Sequence, residues 1–257
     1  PTVLTLDAGR RVVFLGSDAL DERVTLIDET GRFIDGPPFS KISYLRTSPD
    51  EKRAAYIGRG WWRDTLVIVD ENGNHIISPR FKEIRKFELS PDGRKAMFLA
   101  RHRGRDWRLY HWDLASKPMP GPEIKQADHL TFSPVGGYAM YAAQLADDSW
   151  QAVHVSAAGA HTPGPTFAAV GPFTFSTDPS RTAYRAGKAY ATNQVIVMHG
   201  ANKHIPGPAY DFVGPPVFSA SGQQAAYRAK NGKKTVVMIE ADGTHKPGPG
   251  FYKTNDP

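Results

Sequence analysis

The sequence predicts an all-β chain, a six-bladed β-propeller with four antiparallel strands in each blade of about 43 residues. Three landmarks recur together six times along the 257 residues: a Ser or Thr, an aromatic residue eight or nine positions later, and a Pro after a turn. Landmarks that keep one order and one spacing indicate a repeated supersecondary unit. The segments between them favour strands over helices, which is typical of propeller blades.

The Ser landmark sets the period, with spacings of 43, 42, 43, 43 and 43 residues. It occupies Thr5, Ser48, Ser90, Ser133, Ser176 and Ser219. The aromatic landmark occupies Phe14, Tyr56, Phe98, Tyr141, Tyr184 and Tyr227. The Pro landmark occupies Pro37, Pro79, Pro122, Pro165, Pro208 and Pro249.

Each repeat contains four short segments of branched and aromatic residues, which we call A to D. In the fifth repeat they are FTFS (173–176), TAYRA (182–186), QVIVM (194–198) and residues 205–210. Gly, Pro, Asp and Asn separate them, so we expect short strands joined by tight turns. With strand A innermost, the B–C loops and the connections between blades share one end of each blade.

The repeat predicts one domain over 1–257, with blades at about 1–46, 47–89, 90–132, 133–175, 176–218 and 219–257. Ser219–Pro257 has 39 residues and PTVL precedes Thr5, which together complete one period of 43. We therefore expect adjacent termini and closure by side-chain packing, without an exchanged strand. A solenoid, the alternative, needs atypical capping repeats that neither end shows.

The amino-acid composition excludes several kinds of catalytic, metal-binding and membrane-spanning segment. The chain has no Cys, which excludes disulfides, thiolate nucleophiles, zinc–thiolate sites and iron–sulfur clusters. No apolar run approaches the roughly 18 residues of a membrane span. The start, PTVLTLDAGRR, has no Met and no signal-peptide stretch, so we expect a processed chain or an excised domain. The net charge of +6 is local: residues 80–108 hold ten Lys/Arg and four Asp/Glu.

The segments SPDGRKAMFLA (90–100) and FSASGQQAAYRA (218–229) resemble the TolB-like propeller repeat. SPDEKRAAYIG (48–58) and SPVGGYAMYAA (133–143) are looser copies, so the resemblance covers the whole chain. It implies the propeller fold. It leaves function open, because this repeat occurs in periplasmic scaffolds and in peptidase accessory domains. By resemblance alone, we expect a location in the cell envelope or outside the cell.

Candidate catalytic and metal-binding residues are themselves repeated. His75, His161, His204 and His245 occupy one repeat position, which we expect at the outer turns and too far apart to share an ion at about 2.0–2.1 Å. The five serines are expected to hydrogen-bond within turns. No nucleophile elbow, P-loop, dinucleotide fingerprint or EF-hand loop is present. We therefore predict no catalytic residue, no metal and no cofactor.

Two B–C loops differ from the other repeats: GRGWWRD (58–64) and RHRGRDW (101–107). Arg and Trp are enriched at binding hot spots, and exposed Trp pairs need a partner or a crevice. Burial of the Trp residues between blades is the structural alternative. The loops predict a partner-binding site formed by Arg59, Trp61, Trp62, Arg63, Arg101, Arg103, Arg105 and Trp107.

These observations predict a non-enzymatic propeller, a scaffold or accessory subunit of a larger assembly that binds another protein with an acidic surface. The first alternative is a propeller hydrolase or lactonase with a central-channel site, for which Glu88 is the main candidate acid. The second is a glycan or small-ligand receptor. Nucleic acid is a less favoured partner than a protein, a glycan or a small ligand, because the excess of positive charge is small and local. The partner's identity and the oligomeric state stay open.

Overall fold

The computed structural model describes residues 2–18, 20–135, 137–187 and 193–251. The chain divides into two compact units, Pro1–Glu123 and Ile124–Pro257, and each is described by itself. The predicted adjacency of the termini involves Pro1 and residues 252–257, which lie outside the described residues.

The first unit contains three antiparallel sheets in which strands follow one another in chain order. Sheet 1 contains β1 (Val3–Leu6), β2 (Arg11–Ser17), β3 (Glu22–Ile27) and β4 (Phe33–Asp35). Sheet 2 contains β5 (Lys41–Thr47), β6 (Ala54–Arg59), β7 (Asp64–Val69) and β8 (His75–Ile77). Sheet 3 contains β9 (Glu83–Leu89), β10 (Ala96–Arg101), β11 (Trp107–Trp112) and β12 (Met119–Ile124). A single 3₁₀ turn, Asp7–Gly9, follows β1.

The second unit contains three further antiparallel sheets. Sheet 4 contains β13 (Gln126–Phe132), β14 (Tyr138–Gln144), β15 (Trp150–Ser156) and β16 (His161–Phe167). Sheet 5 contains β17 (Ala169–Phe175), β18 (Arg181–Gly187), β19 (Gln194–His199) and β20 (Lys203–Pro206). Sheet 6 contains β21 (Phe212–Val213), β22 (Val217–Phe218), β23 (Ala225–Asn231), β24 (Lys233–Ile239) and β25 (His245–Pro247).

The predicted pattern of four antiparallel strands per repeat is confirmed for the described residues. In sheet 6 the first strand is split, because Pro215 and Pro216 interrupt it and proline cannot donate to the ladder. The sheets begin before the Ser landmarks at which the predicted blade limits lie. For example, β5 ends at Thr47 and pairs with β6, so the hydrogen-bonded unit starts at Lys41.

The cores of both units are formed by the middle strands. All six residues of β7 are buried, as are five of the six in β10, which gives near-continuous apolar runs rather than alternation. Such runs are typical of strands covered on both faces. Sheet 2 packs on both faces: Ile57 and Leu66 join a cluster with Phe98 of sheet 3, and Tyr56 and Val67 join a cluster with sheet 1.

Two of the Ser landmarks, Ser48 and Ser90, have the turn role that the sequence predicts, whereas the Ser176 hydroxyl donates to the Gly222 carbonyl of the next sheet. Ser48 and Ser90 are almost fully buried, and each hydroxyl donates to an Asp carboxylate two residues later at 2.6 Å. The same oxygens accept from the backbone N–H of Arg53 at 3.1 Å and of Lys95 at 2.9 Å. These bonds close the A–B turns.

The aromatic landmark and the repeated histidine are partners. Four Tyr hydroxyls contact His Nδ1 atoms, at 3.2, 3.1, 2.9 and 3.1 Å. The pairs are Tyr56–His75, Tyr141–His161, Tyr184–His204 and Tyr227–His245. Each of these histidines lies at or near the start of a D strand and is half-buried, and its ring reaches a Tyr of strand B in the same sheet.

The repeated Gly-Pro step gives these histidines room. A Cβ at Gly164 would lie 2.6 Å from Cε1 and 2.8 Å from Nε2 of His204, which belongs to the next sheet. Gly36 and Gly207 have the same relation to His75 and His245. Where Ser78 replaces the glycine, the next repeat has Pro118 in place of histidine. The glycine and the histidine therefore form a contact between neighbouring sheets.

Among the residues described here, no helix is long and apolar enough to cross a bilayer.

Candidate functional site

Backbone pairing places the B–C loops of sheets 2 and 3 beside the segment that connects the two sheets. Asp64 and Phe81 exchange two N–H···O bonds of 2.9 Å, which places Arg63 and Lys82 side by side. The Lys82 N–H then donates to the Arg101 carbonyl at 2.9 Å. One connecting segment, residues 80–82, therefore joins both loops.

The Asp64 carboxylate fixes this arrangement. Its Oδ2 accepts the Ile84 N–H at 2.9 Å, and the residue is buried. Burial raises the pKa of Asp64, although the Ile84 hydrogen bond and the nearby Arg59 act in the opposite direction. Glu22 accepts the Ile42 N–H in the same way one repeat earlier. Asp64 therefore supports the loop rather than facing a ligand.

Aromatic packing supports the third loop from below. The Phe81 ring stacks on His102, with centroids 4.8 Å apart and an interplanar angle of 28°. Phe81 also contacts Phe98 and Tyr110 edge-on, at 5.4 and 4.8 Å. Because Phe81 is buried, it holds the His102 ring in place while the residue stays exposed.

The loops enclose a cleft of about 780 Å³. Its lining residues are Trp62, Arg63, Arg80, Lys82, His102 and Arg103. Four of the six are permanently positive, and none is acidic. A concave surface with charge of one sign concentrates ions of the opposite sign.

Two further clefts adjoin the first and share its lining. One of about 370 Å³ shares Trp62, Arg63 and Arg80 and adds Pro38, Phe39, Gly60, Trp61 and Thr65. Another of about 410 Å³ shares Lys82, His102 and Arg103 and adds Arg101, Gly104, Arg105, Asp106 and Glu123. We call the three together the basic groove. It runs from an aromatic end at Trp61 to a charged end at Arg105.

Most cations of the groove lack an acidic partner. Within the described ranges, no carboxylate lies within 4.0 Å of the side-chain nitrogens of Arg63, Arg80, Lys82, Arg103 or Arg105. The nearby acid Glu83 is already paired, with Arg85 at 3.2 Å and with Arg101 at 2.8 Å. Burial opposes ionisation of Glu83, but these two hydrogen bonds together lower its pKa. The positive charge of the groove is therefore not neutralised internally.

The structure brings six of the eight predicted site residues into the lining of the groove. Trp61 is 89% exposed and Trp62 is 78% exposed. Arg63, Arg103 and Arg105 are exposed lining residues. Exposed tryptophans on one loop are the kind of surface that binds partners.

Arg59, Arg101 and Trp107 have partners within the chain, and Arg101 has them while lining the groove. Trp107 is only 8% exposed, and the guanidinium carbons of Arg85 and Arg101 lie 4.0 and 4.7 Å from its ring centroid. The expectation that Trp107 binds a partner is corrected, because it is the packing surface for two arginines. Arg101 is also paired with Glu83, and Arg59 lies 3.9 Å from Asp64.

Phe39, Arg80, Lys82 and His102 line the groove but were not among the predicted site residues. Arg80 and Lys82 lie in the basic run of residues 80–108, outside the B–C loops from which the site was predicted. The available sequence signal was a Phe two residues after three of the Pro landmarks, at Phe39, Phe81 and Phe251, each of which forms an antiparallel bridge. A bridge there places the connecting segment beside the B–C loop.

The inner-strand acid Glu88 is also engaged. Arg46 donates to Glu88 at 3.2 Å, and its guanidinium lies 4.3 Å from the Phe87 ring centroid. Burial raises the pKa of Glu88, and the Arg46 charge opposes that shift. Across the described part of the chain, no three His, Asp or Glu side chains gather in a geometry that could hold a metal ion.

Comparison with known proteins reports on the fold. No protein-family model and no curated protein sequence matches the chain. A solved eukaryotic initiation factor structure is 14% identical over 97% of this chain, with a TM-score of 0.60. The tricorn protease structure is 12% identical over 97%, with a TM-score of 0.53. TolB from Acinetobacter baumannii is 18% identical over 94%, with a TM-score of 0.44.

The chain spans 64% of that TolB, 65% of the initiation factor and 30% of the tricorn protease. The predicted TolB-like β-propeller resemblance is confirmed at the level of fold. The likeness to the initiation factor and to the tricorn protease, with TM-scores of 0.60 and 0.53, shows the fold alone.

Proposed function

We propose that the chain is a six-bladed, non-enzymatic β-propeller that acts as a scaffold or accessory subunit and binds an acidic surface of another protein through the basic groove. The observation that supports this function is the set of five cations without acidic partners around the groove. Unpaired arginines in a concave surface favour carboxylates, because the guanidinium fork matches them in a bidentate geometry.

The exposed tryptophans strengthen the proposal. Trp61 and Trp62 adjoin the cations on one loop, so a partner that covers the groove would remove both rings from water. Burying a large aromatic side chain contributes more to affinity than most interface contacts, and Trp and Arg dominate hot spots. A surface with charged and aromatic parts gives a protein partner both steering and affinity.

The enzyme alternative has less support. Glu88, its main candidate acid, is bound to Arg46, and Ser48 and Ser90 have their hydroxyls engaged in turns. These side chains therefore serve the fold. A location in the cell envelope or outside the cell remains a prediction from the TolB resemblance.

The first experiment identifies the partner and then tests the groove. The protein is separated under native conditions from an extract of its source, and co-migrating chains are identified. The purified partner is then titrated against Arg63→Glu/Arg103→Glu. We expect affinity to fall at least about tenfold at low salt, because two attractive charges become repulsive.

The matched control is Lys52→Glu/Arg94→Glu. These two residues are exposed in the A–B turns of sheets 2 and 3, so the net charge changes equally at the other end of the same strands. We expect the control to bind as the wild type does. Equal binding by both variants and the wild type would place the partner elsewhere and reject the groove.

A further inference from the structure

The basic groove is chemically divided along its length. The cleft at one end is lined by Pro38, Phe39, Trp61 and Trp62, and its cations, Arg63 and Arg80, lie where it joins the central cleft. The cleft at the other end has no aromatic lining besides His102 and contains Arg101, Arg103 and Arg105. A ligand that fills the whole groove therefore needs an apolar part and an anionic part, in that order.

The charged part suits several anions in succession. The central cleft has four cations and no acid among its lining residues. Beyond it, Asp106 and Glu123 enter the lining, so the strongest positive field lies in the middle. A short run of carboxylates there would gain charge-assisted hydrogen bonds without displacing an existing ion pair.

The apolar part suits one large side chain. Phe39 packs edge-on against Tyr56, with centroids 6.1 Å apart, and it covers Gly58, where no Cβ would fit. This ring is therefore fixed as the floor of the cleft, while Trp61 and Trp62 stand exposed beside it. A fixed floor with exposed aromatic sides is a geometry that accepts an apolar anchor.

We infer that the groove binds an extended acidic peptide segment that ends in an aromatic or large aliphatic residue, with the acidic run on Arg63, Arg80, Lys82 and Arg103 and the apolar residue against Trp61, Trp62 and Phe39. This inference rests on the proposed function and specifies the partner's binding segment. Single-stranded nucleic acid fits less well, because such sites alternate aromatic residues with cations along the track. A sulfated glycan is the competing anionic ligand, and heparin represents it in the test.

The test uses the full chain and a fluorescent peptide, Glu-Glu-Glu-Glu-Gly-Phe-Leu, followed by anisotropy at about 50 mM and about 200 mM salt. A second peptide has Ser in place of Phe and Leu, and a third has the same composition with Phe and Leu among the Glu residues. We expect the first peptide to bind about tenfold tighter than the other two. Raising the salt should weaken all three.

Two variants test which end of the groove binds the apolar part of the peptide and which end binds its acidic part. Trp61→Ala/Trp62→Ala should remove the preference for the first peptide while leaving the affinity for the Ser peptide within about twofold. Arg63→Gln/Arg103→Gln should weaken all three peptides by about tenfold. All four side chains are exposed, so we expect folded variants, which circular dichroism verifies.

The outcomes separate this inference from the proposed function. Equal affinity for all three peptides, or no peptide binding while the native partner still depends on Arg63 and Arg103, overturns the inference and leaves the proposed function standing. Tighter binding of oligouridylate RNA or heparin than of the first peptide overturns both. Absence of any peptide or partner binding also overturns both.

Discussion

In sheet 2, a residue within strand β6 recurs in other sheets, whereas the loop that follows the strand does not. Tyr56, within the strand, bonds His75, and this pair recurs in sheets 4, 5 and 6. Trp61 and Trp62, just beyond the strand's end, have no such recurrence, and the corresponding loop of sheet 4 is acidic, with Asp147 and Asp148. The residues that recur from sheet to sheet therefore hold the sheets together, whereas the candidate binding surface lies on loops that depart from the repeat.

The largest effect should separate two tryptophans that the sequence does not distinguish. Trp107→Ala should lower the free energy of unfolding by about 3–5 kcal/mol, because it empties a buried site and removes the ring beneath Arg85 and Arg101. Trp62→Ala should change it by less than about 0.5 kcal/mol, because Trp62 is exposed. Urea denaturation followed by circular dichroism measures both. Similar losses for the two variants would contradict the division of roles.

A smaller effect tests the contact between neighbouring sheets. Gly164→Ala should cost about 1–3 kcal/mol, because the new Cβ would meet the His204 ring. In His204→Ala the same glycine substitution should cost much less, so the two changes should be strongly non-additive in a double-mutant cycle.

Gly137→Ala is the matched control for this cycle. It lies in the same unit, and a Cβ there would meet nothing within 4 Å. We expect little change in stability. If Gly164→Ala costs the same with and without His204, the histidine does not require the glycine.

Much of the fold can be predicted from the sequence, because the same local pattern of strand and turn residues recurs in every repeat. Four strands per repeat and the serine turns are predicted from spacing and turn residues, and Ser48 and Ser90 behave as expected. The pairing of Tyr184 with His204 is not predicted. Both residues were identified, but strand β19 lies between them, and only its register brings Tyr184 and His204 to one point.

The candidate site could be predicted only in part, because the sequence pattern does not show which segments pair in the fold. Composition identifies Trp61, Trp62 and Arg103 as unusual, but it cannot tell an exposed tryptophan from a buried one. Trp107 begins β11 and is covered by two guanidinium groups from two other strands, Arg85 of β9 and Arg101 of β10. Lys82 enters the groove through a backbone bridge between segments that the loop pattern treats as separate.

The last prediction uses the repeated histidines as a pH probe of the fold. Burial lowers the pKa of His75, His204 and His245 from the ordinary value of 6.5, although Asp70 and Asp35 act in the opposite direction on His75. The unfolded chain therefore binds more protons than the folded chain below about pH 6.5. Stability should be highest above that pH, fall as the pH drops through it, and level off below the folded-state pKa values.

Urea denaturation at about pH 7.5 and about pH 5.5 measures this loss. The control is the triple variant His75→Gln, His204→Gln and His245→Gln, in which an amide replaces each titrating ring and the exposed carboxylates are unchanged. We expect a smaller drop in stability for the triple variant than for the wild type. An equal drop would assign the pH dependence to other groups, and the histidines would then be contacts that hold sheets together without sensing protons.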